Sequence, residues 1–404
     1  MTRPISRRAL LAGAVVSPVL KGARVMAQGR KPHVVVAGAG AFGGWTALFL
    51  LRRGARVTLA DTWGPGNSRA SSGGETRVIR GTHGPDRPYM DLVTRSLALW
   101  KEHERRFSRP LFRSTGVLWM AGEKDDFEKA SLPLLKEYGF AFEELRTAEA
   151  QKRFPQVSFE QVKWVIHEKE TGYLLARRAC EAVLEAFVAE GGEFRQSSLA
   201  PGAVKDGELT SVVTSDGERL TADRYVFACG PWLGRVFPDL LGERIKPSRQ
   251  EVLFFGTPDR DPRFDEPQLP VWIDNGEKLF YGIPGSERRG FKVAEDTIGP
   301  PFDPTSGERT LTAEGLRAAR AYLAFRFPLL ASAPLLESRV CQYENSPDSH
   351  FILDRHPEAG NAWIAGGGSG RGFKHGPAVG ERMAAMVLEG KSPEPFFSLA
   401  RFKL

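Results

Sequence analysis

The chain has 404 residues, 41 % hydrophobic and 26 % charged, with 56 Lys and Arg against 49 Asp and Glu for a net +7. This length suggests two or three domains with ample chain for a large core, and the composition excludes disorder, collagen and coiled coil as the main state. Five of the surplus charges (Arg3, Arg7, Arg8, Lys21, Arg24) sit in the first 27 residues, which hold no acid, and no basic stripe of the nucleic-acid-binding kind stands out beyond them. Three cysteines, Cys180, Cys229 and Cys341, are too few for a disulfide framework, and no Cys/His spacing suits a metal site.

The N-terminus runs Ser6-Arg7-Arg8, then an uncharged stretch Ala9–Leu20, then Val25-Met26-Ala27. A charged start, a short apolar run and a small residue at a cleavage position read as an export signal. The adjacent arginines point to the twin-arginine route, with an uncleaved basic tail as the alternative. Twelve uncharged residues fall short of a bilayer of roughly 30 Å, so no stable membrane span is expected. Residues 1–27 are therefore expected to be a leader, the export machinery a partner, and the location periplasmic or exported.

His33–Ala37 reads as a buried parallel strand, Trp45–Arg52 as a helix and Arg56–Ala60 as a second strand, making a βαβ unit. Helices are predicted at Thr147–Phe154, Arg177–Glu190, Thr312–Phe325 and Pro377–Leu388. A hairpin is predicted from Leu209–Ser215 and Arg219–Ala222 about Asp216-Gly217. Strands are predicted at Arg224–Ala228 and Ala362–Ala365, and through 250–300. The end from Lys391 reads as a loosely attached tail.

Between the first strand and helix lies Gly38-Ala39-Gly40-Ala41-Phe42-Gly43. Gly38, Gly40 and Gly43 permit a tight turn and close approach of a pyrophosphate to the helix N-terminus. Asp61 ends the second strand, 18 residues after Gly43, where an acid can hold a ribose hydroxyl. Strand, glycine loop, helix and acid in this order point to an adenine dinucleotide, without separating FAD from NAD.

Further on the chain reads Ser71-Ser72-Gly73-Gly74-Glu75-Thr76-Arg77-Val78-Ile79-Arg80, later Cys341-Gln342-Tyr343 and His350-Phe351-Ile352-Leu353-Asp354, and finally Gly366-Gly367-Gly368-Ser369-Gly370-Arg371-Gly372-Phe373-Lys374. With the glycine loop, these segments resemble the FAD-dependent amine oxidoreductases of the D-amino-acid oxidase superfamily, particularly the monomeric sarcosine oxidases and N-methyl-amino-acid oxidases. The resemblance covers nearly all the chain after the leader. It implies an α/β fold: a Rossmann-like FAD-binding domain interleaved with an α+β substrate domain whose sheet is mainly antiparallel. The segments are expected at 31–80, 150–240 and 336–390 for the FAD domain, and at 81–149 and 241–335 for the substrate domain, with 391–404 as the tail. A monomer is expected.

The resemblance also implies site residues. FAD would be held by Gly38, Gly40, Gly43, Asp61, Gly370 and Gly372, and bonded covalently to Cys341; Cys180 and Cys229 read as core. Arg80 and Lys374 match a pair that grips the substrate carboxylate, where a planar guanidinium fork and a point charge suit that group. Arg77 matches an arginine beside the flavin ring. Lys292 matches a lysine that activates dioxygen by stabilising the negative charge of its reduction. Tyr281 and Tyr343 match aromatic residues of the substrate cavity, and the helix from Pro377 is expected to aim its N-terminus at the flavin. Asp296 stands where sarcosine oxidase has a histidine, and Ser72 and Gly73 stand where the family has two more. These departures argue for a secondary or N-substituted amino acid other than sarcosine. His350, His356 and His375 read as structural.

The expected activity is oxidation of a C–N bond to an imine, with dioxygen reduced to hydrogen peroxide. The alternatives are a dehydrogenase passing electrons to a periplasmic carrier, or a catalytically silent FAD-binding protein.

Overall fold

The strand β1 (His33–Ala37) buries five consecutive residues, as a parallel strand covered on both faces must. The helix α1 (Ala41–Arg52) follows at once and begins four residues before the predicted Trp45. Gly40 takes an extended backbone at its N-cap, so Phe42, Gly43 and Gly44 already form the first turn. β2 (Arg56–Ala60) then pairs parallel to β1 over its whole length.

The structure is a computed structural model that describes residues 30–259 and 261–402. The expected leader at 1–27 lies outside the described residues. Pro32–Leu404 forms one compact unit. Its six-stranded sheet has the order Ile352–Arg355, Ala362–Gly366, Arg224–Phe227, β1, β2, Glu193–Arg195. Every pair in it is parallel except the one at the Ile352–Arg355 edge. α1 packs on this sheet, with Trp45 and Leu48 in one core with Val379 and Met383 of the helix Gly376–Glu389.

An eight-stranded sheet has the order Leu335–Asn345, Lys246–Phe255, Phe291–Glu295, Leu279–Ile283, Val271–Asn275, Val117–Ala121, Trp164–Glu168, Phe142–Arg146. It is antiparallel except between Val271–Asn275 and Val117–Ala121. One face packs Leu118, Trp272 and Phe291 against Tyr322 and Leu323 of the helix Ala313–Arg326. The chain passes repeatedly between the two sheets, which is the interleaved α/β arrangement. Strands Trp164–Glu168 and Leu335–Asn345 carry stretches of 150–240 and 336–390 into the eight-stranded sheet. A third, small sheet holds β3 (Thr76–Ile79), Gly172–Leu175 and Phe112–Arg113.

Three expectations change. The helix α2 (Arg87–Arg106) was not among the predicted elements, yet it buries Tyr89, Met90, Val93, Ser96, Trp100 and His103 at helical spacing. The predicted hairpin shrinks to Val212–Thr214 with Arg219–Leu220, because Glu208–Leu209 pairs instead with Val204–Lys205. The tail is not loose. Phe397 and Leu399 are buried, and the Asp354 carboxylate accepts from the Ser398 hydroxyl (2.6 Å) and the Leu399 N–H (2.7 Å). Among the described residues no helix is long and apolar enough to cross a membrane, and no group of His, Cys, Asp and Glu could hold a metal ion.

Candidate active site

A cavity of about 470 Å³ runs from the β1–α1 loop, past Asp61 and the Ser71–Ser72 segment, to Arg77, Cys341 and Tyr343. Its first wall is backbone. Gly38 sits at φ +101°, and a Cβ there would meet the Ala228 carbonyl oxygen at 2.3 Å. A Cβ on Gly43 would meet the Gly38 carbonyl oxygen at 1.8 Å, so the helix start lies directly on the turn. Gly40 is less confined, with only the Ser72 Oγ nearby at 3.3 Å. Asp61 lines the cavity, and its carboxylate accepts from the N–H groups of Ala39, Trp63 and Gly64, each at 2.9 Å. The acid therefore ties the end of β2 to the glycine loop, while burial pushes its pKa up.

At the far end, strand pairing sets Cys341 opposite Gln250 and Tyr343 opposite Ser248. The Cys341 thiol is half-buried and lines the cavity, with the Arg77 Nη2 3.6 Å from its sulfur. Arg77 is itself fixed by donation to the carbonyls of Thr76 (2.8 Å) and Ser71 (2.5 Å).

Lys292 lies behind this end. It is 2 % exposed, its Nζ donates to the Thr76 carbonyl at 3.2 Å, and it sits 5.1 Å from the centre of the Tyr281 ring. Burial, reinforced by Arg77, pushes its pKa down to about 7. Such an amine changes charge near neutrality, unlike a surface lysine.

A second hollow adjoins the cavity across Arg77, Tyr281, Tyr343, Gly370 and Phe373. Arg80, Arg371, Lys374 and Asp296 also line it. Arg80 stacks on Trp119, 4.6 Å from the ring centre, and its buried Nη1 has no hydrogen-bond partner among the described residues. Burial pushes Arg80 down to about 10, against the opposing pull of Glu168. Lys374 is 5 % exposed and donates only to the Arg371 carbonyl (2.9 Å); burial, then Arg80 and Arg371, hold it well below the usual lysine value. A buried cation short of partners is costly until an anion arrives, and a carboxylate is one group whose charge and shape would relieve that cost. The Asp296 carboxylate accepts from the Tyr343 hydroxyl at 2.5 Å. Burial, followed by Asp296, raises both tyrosines, which keeps them protonated donors.

All the residues expected of the site thus line or adjoin two connected spaces, with Lys292 one layer behind. Gly370 (φ +77°) presses against the Tyr343 ring and Gly372 against Phe42. Cys180 is buried as expected. Cys229 is not plain core: it lines the dinucleotide cavity, with burial pushing its thiol up to about 12. Its place at the end of the strand beside β1 was the available signal.

Three charged residues were missed. Glu344 is 9 % exposed and lines the cavity, with Oε1 accepting from the Gly368 N–H (3.1 Å) and Oε2 unpartnered. Burial pushes it up to about 7. Glu168 is fully buried and accepts from the Gly81 and Thr82 N–H groups and the Thr82 hydroxyl, fixing the chain just after Arg80. Arg371 stood inside the quoted glycine segment without a role. His375 is buried with neither ring nitrogen partnered, and its ring centre is 5.3 Å from that of His83; burial keeps both imidazoles neutral.

The cavity fits the expected cofactor. Its entrance is a glycine turn that no side chain can share, and its lining carries orphaned polar atoms, Ser71 Oγ and Glu344 Oε2, which a polar ligand would satisfy. The wider comparison agrees. Residues 33–386 match the FAD dependent oxidoreductase (DAO) family model, and the chain belongs to that family. It is 31 % identical to the monomeric sarcosine oxidase of Bacillus sp. (strain B-0618), across 89 % of this chain and 93 % of that one. It is 27 % identical to the N-methyl-L-tryptophan oxidase of Citrobacter koseri, across 93 % and 98 %. Among solved structures, the L-proline dehydrogenase of P. horikoshii superposes with a TM-score of 0.80 at 23 % identity, covering 92 % of this chain and 98 % of that one, and so shares its fold. The protein is thus an FAD-dependent amine or amino-acid oxidase of the sarcosine oxidase kind.

Proposed function

We propose that the protein oxidises the C–N bond of a secondary or N-substituted amino acid to an imine and reduces dioxygen to hydrogen peroxide. One observation carries this reading: two buried cations, Arg80 and Lys374, lack a carboxylate partner in a hollow that opens onto the FAD cavity. They would orient the substrate by its acid group. Asp296 and the Tyr343 hydroxyl would face the amine, where a carboxylate stabilises a cationic nitrogen and later accepts its proton. Bound FAD supplies the two-electron acceptor, taking a hydride equivalent from carbon and handing both electrons to dioxygen. Lys292 would place its positive charge where dioxygen gains electrons.

The Cys341 thiol beside Arg77 supports covalent attachment of the flavin at that sulfur. Protein that stays yellow after acid precipitation, and Cys341→Ser protein that bleaches, are the expected results. Colour lost from the unsubstituted protein would refute the linkage. The main reading is tested by counting peroxide per imine formed from N-methyl amino acids. A one-to-one yield is expected, whereas imine with a dye reduced and no peroxide would make the protein a dehydrogenase. The arginine pair of the leader supports export, and fractionation of cells carrying Arg7→Lys/Arg8→Lys should trap the protein in the cytoplasm.

A further inference from the structure

The hollow next to the FAD cavity holds more positive charge than one carboxylate needs. Arg80, Arg371 and Lys374 all line it, beside Arg77, which is already held by the Ser71 and Thr76 carbonyls. Among the described residues none of the three has a carboxylate partner: Arg80 stacks on Trp119, Arg371 lies 5.4 Å from the centre of the Tyr89 ring, and Lys374 donates to a backbone carbonyl. The single acid in the lining, Asp296, is engaged by the Tyr343 hydroxyl at 2.5 Å. Glu168 sits behind, its oxygens occupied by the Gly81 and Thr82 donors.

The three cations are not equivalent. Arg80 keeps a buried, unpartnered Nη1, and Lys374 is almost fully buried. Arg371 is half-buried and comes from the same glycine segment, three residues before Lys374, with its guanidinium over the buried Tyr89 ring. The deep pair suits one carboxylate at the reacting end of a substrate. Arg371 is then left over, a planar donor fork in the lining of the same hollow. Like charges crowded in one hollow are unfavourable until a ligand brings matching negative charge, so this surplus selects for a second anion.

We propose that the substrate is an N-substituted amino dicarboxylic acid, whose second carboxylate is held by Arg371. This rests on the reading of Arg80 and Lys374 as the grip on the first carboxylate. The chemistry at the C–N bond is unchanged, and the second carboxylate takes no part in electron transfer.

The test uses the FAD-loaded enzyme and two matched pairs of probes. Succinate and propionate differ by one carboxylate and cannot be oxidised at nitrogen; their binding is read from the flavin absorbance difference spectrum. Succinate is expected to bind at least tenfold more tightly. In Arg371→Gln the two should bind within about threefold of each other, and Arg371→Lys, which keeps the charge, should retain part of the preference. N-methylaspartate and N-methylalanine are then compared by anaerobic stopped-flow, where the ratio of their second-order rate constants for flavin bleaching should fall at least tenfold in Arg371→Gln. Equal binding of succinate and propionate by the unsubstituted protein would overturn the proposal without any variant. So would a preference that survives Arg371→Gln. Bleaching by neither N-methyl acid, with an Arg371-dependent succinate preference intact, would instead defeat the reading of the substrate as an N-substituted amino acid and leave the dicarboxylate site standing.

Discussion

The two halves of the site are made of different material. The FAD end is backbone: a turn at Gly38, a helix start at Gly43, and an acid, Asp61, spent on three N–H groups. The substrate end is side chains drawn from β3, from the strand Leu279–Ile283, from Leu335–Asn345 and from the loop before Gly376–Glu389. A backbone site is specified by what must be absent, namely a Cβ. A side-chain site is specified by charges whose partners are missing. The first tolerates almost no substitution and the second can be retuned one residue at a time, which is how one scaffold can serve many amines.

The largest effect should therefore come from the smallest change. Gly43→Ala places a methyl where only 1.8 Å separates its Cβ from the Gly38 carbonyl oxygen. The helix must lift from the turn, and the purified protein should be colourless or insoluble. Gly40→Ala meets nothing nearer than the Ser72 Oγ at 3.3 Å and should keep its flavin. Equal flavin content in the two variants, measured by absorbance per chain, would break the contrast. At the side-chain end, Arg80→Ala should keep the flavin yet weaken substrate capture. Removing one partner of a desolvated charge pair costs about 2–5 kcal/mol, a loss of roughly 30- to 5000-fold in kcat/KM. Arg80→Lys should fall between, since an ammonium cannot reproduce the fork or its stacking on Trp119.

The same contrast explains what could be read in advance. Gly38, Gly40, Gly43 and Asp61 are contiguous with the strand and helix that give them meaning, so their role is a local pattern. Arg77, Arg80, Lys292, Cys341 and Lys374 have no local pattern that joins them; family resemblance marked them, and only the fold brings them to one place. Arg371 and Glu344 stayed invisible because their significance is a missing partner, which is a tertiary property. α2 is a different case. Its buried stripe from Tyr89 to His103 has ordinary helical spacing and was legible without any fold. The tail misled because Ser398 and Leu399 gain their anchor from Asp354, more than forty residues earlier.

The oxygen-activating role proposed for Lys292 would separate the two half-reactions. Lys292→Met should slow reoxidation by dioxygen by about 100-fold or more, the scale for removing one group that stabilises developing negative charge. Reduction by substrate should change far less, because Lys292 lines neither space. The unsubstituted protein should also reoxidise more slowly as pH rises through about 7, where the ammonium, depressed by burial and Arg77, loses its proton. Stopped-flow measurement of both half-reactions across pH 6–8 checks this. A reoxidation rate flat across that range would remove the charge argument.

Glu344 gives the smallest effect and tests the backbone end with a side chain. Its folded-state pKa is raised from 4.5 to about 7 by burial, so the folded protein holds a proton there that the unfolded chain releases between these values. Stability from this group is therefore lost as pH climbs from about 4.5 to about 7, and the loss is complete above that. Glu344→Gln keeps the shape and the acceptor for the Gly368 N–H but cannot ionise. The variant should match the unsubstituted protein in melting temperature at about pH 4, below the unfolded value, and exceed it by a few degrees at about pH 8. A gap that is constant across pH would mean that the carboxyl ionises as freely in its cavity as it does in water, and that the wall beside Gly368 is wetter than its burial implies.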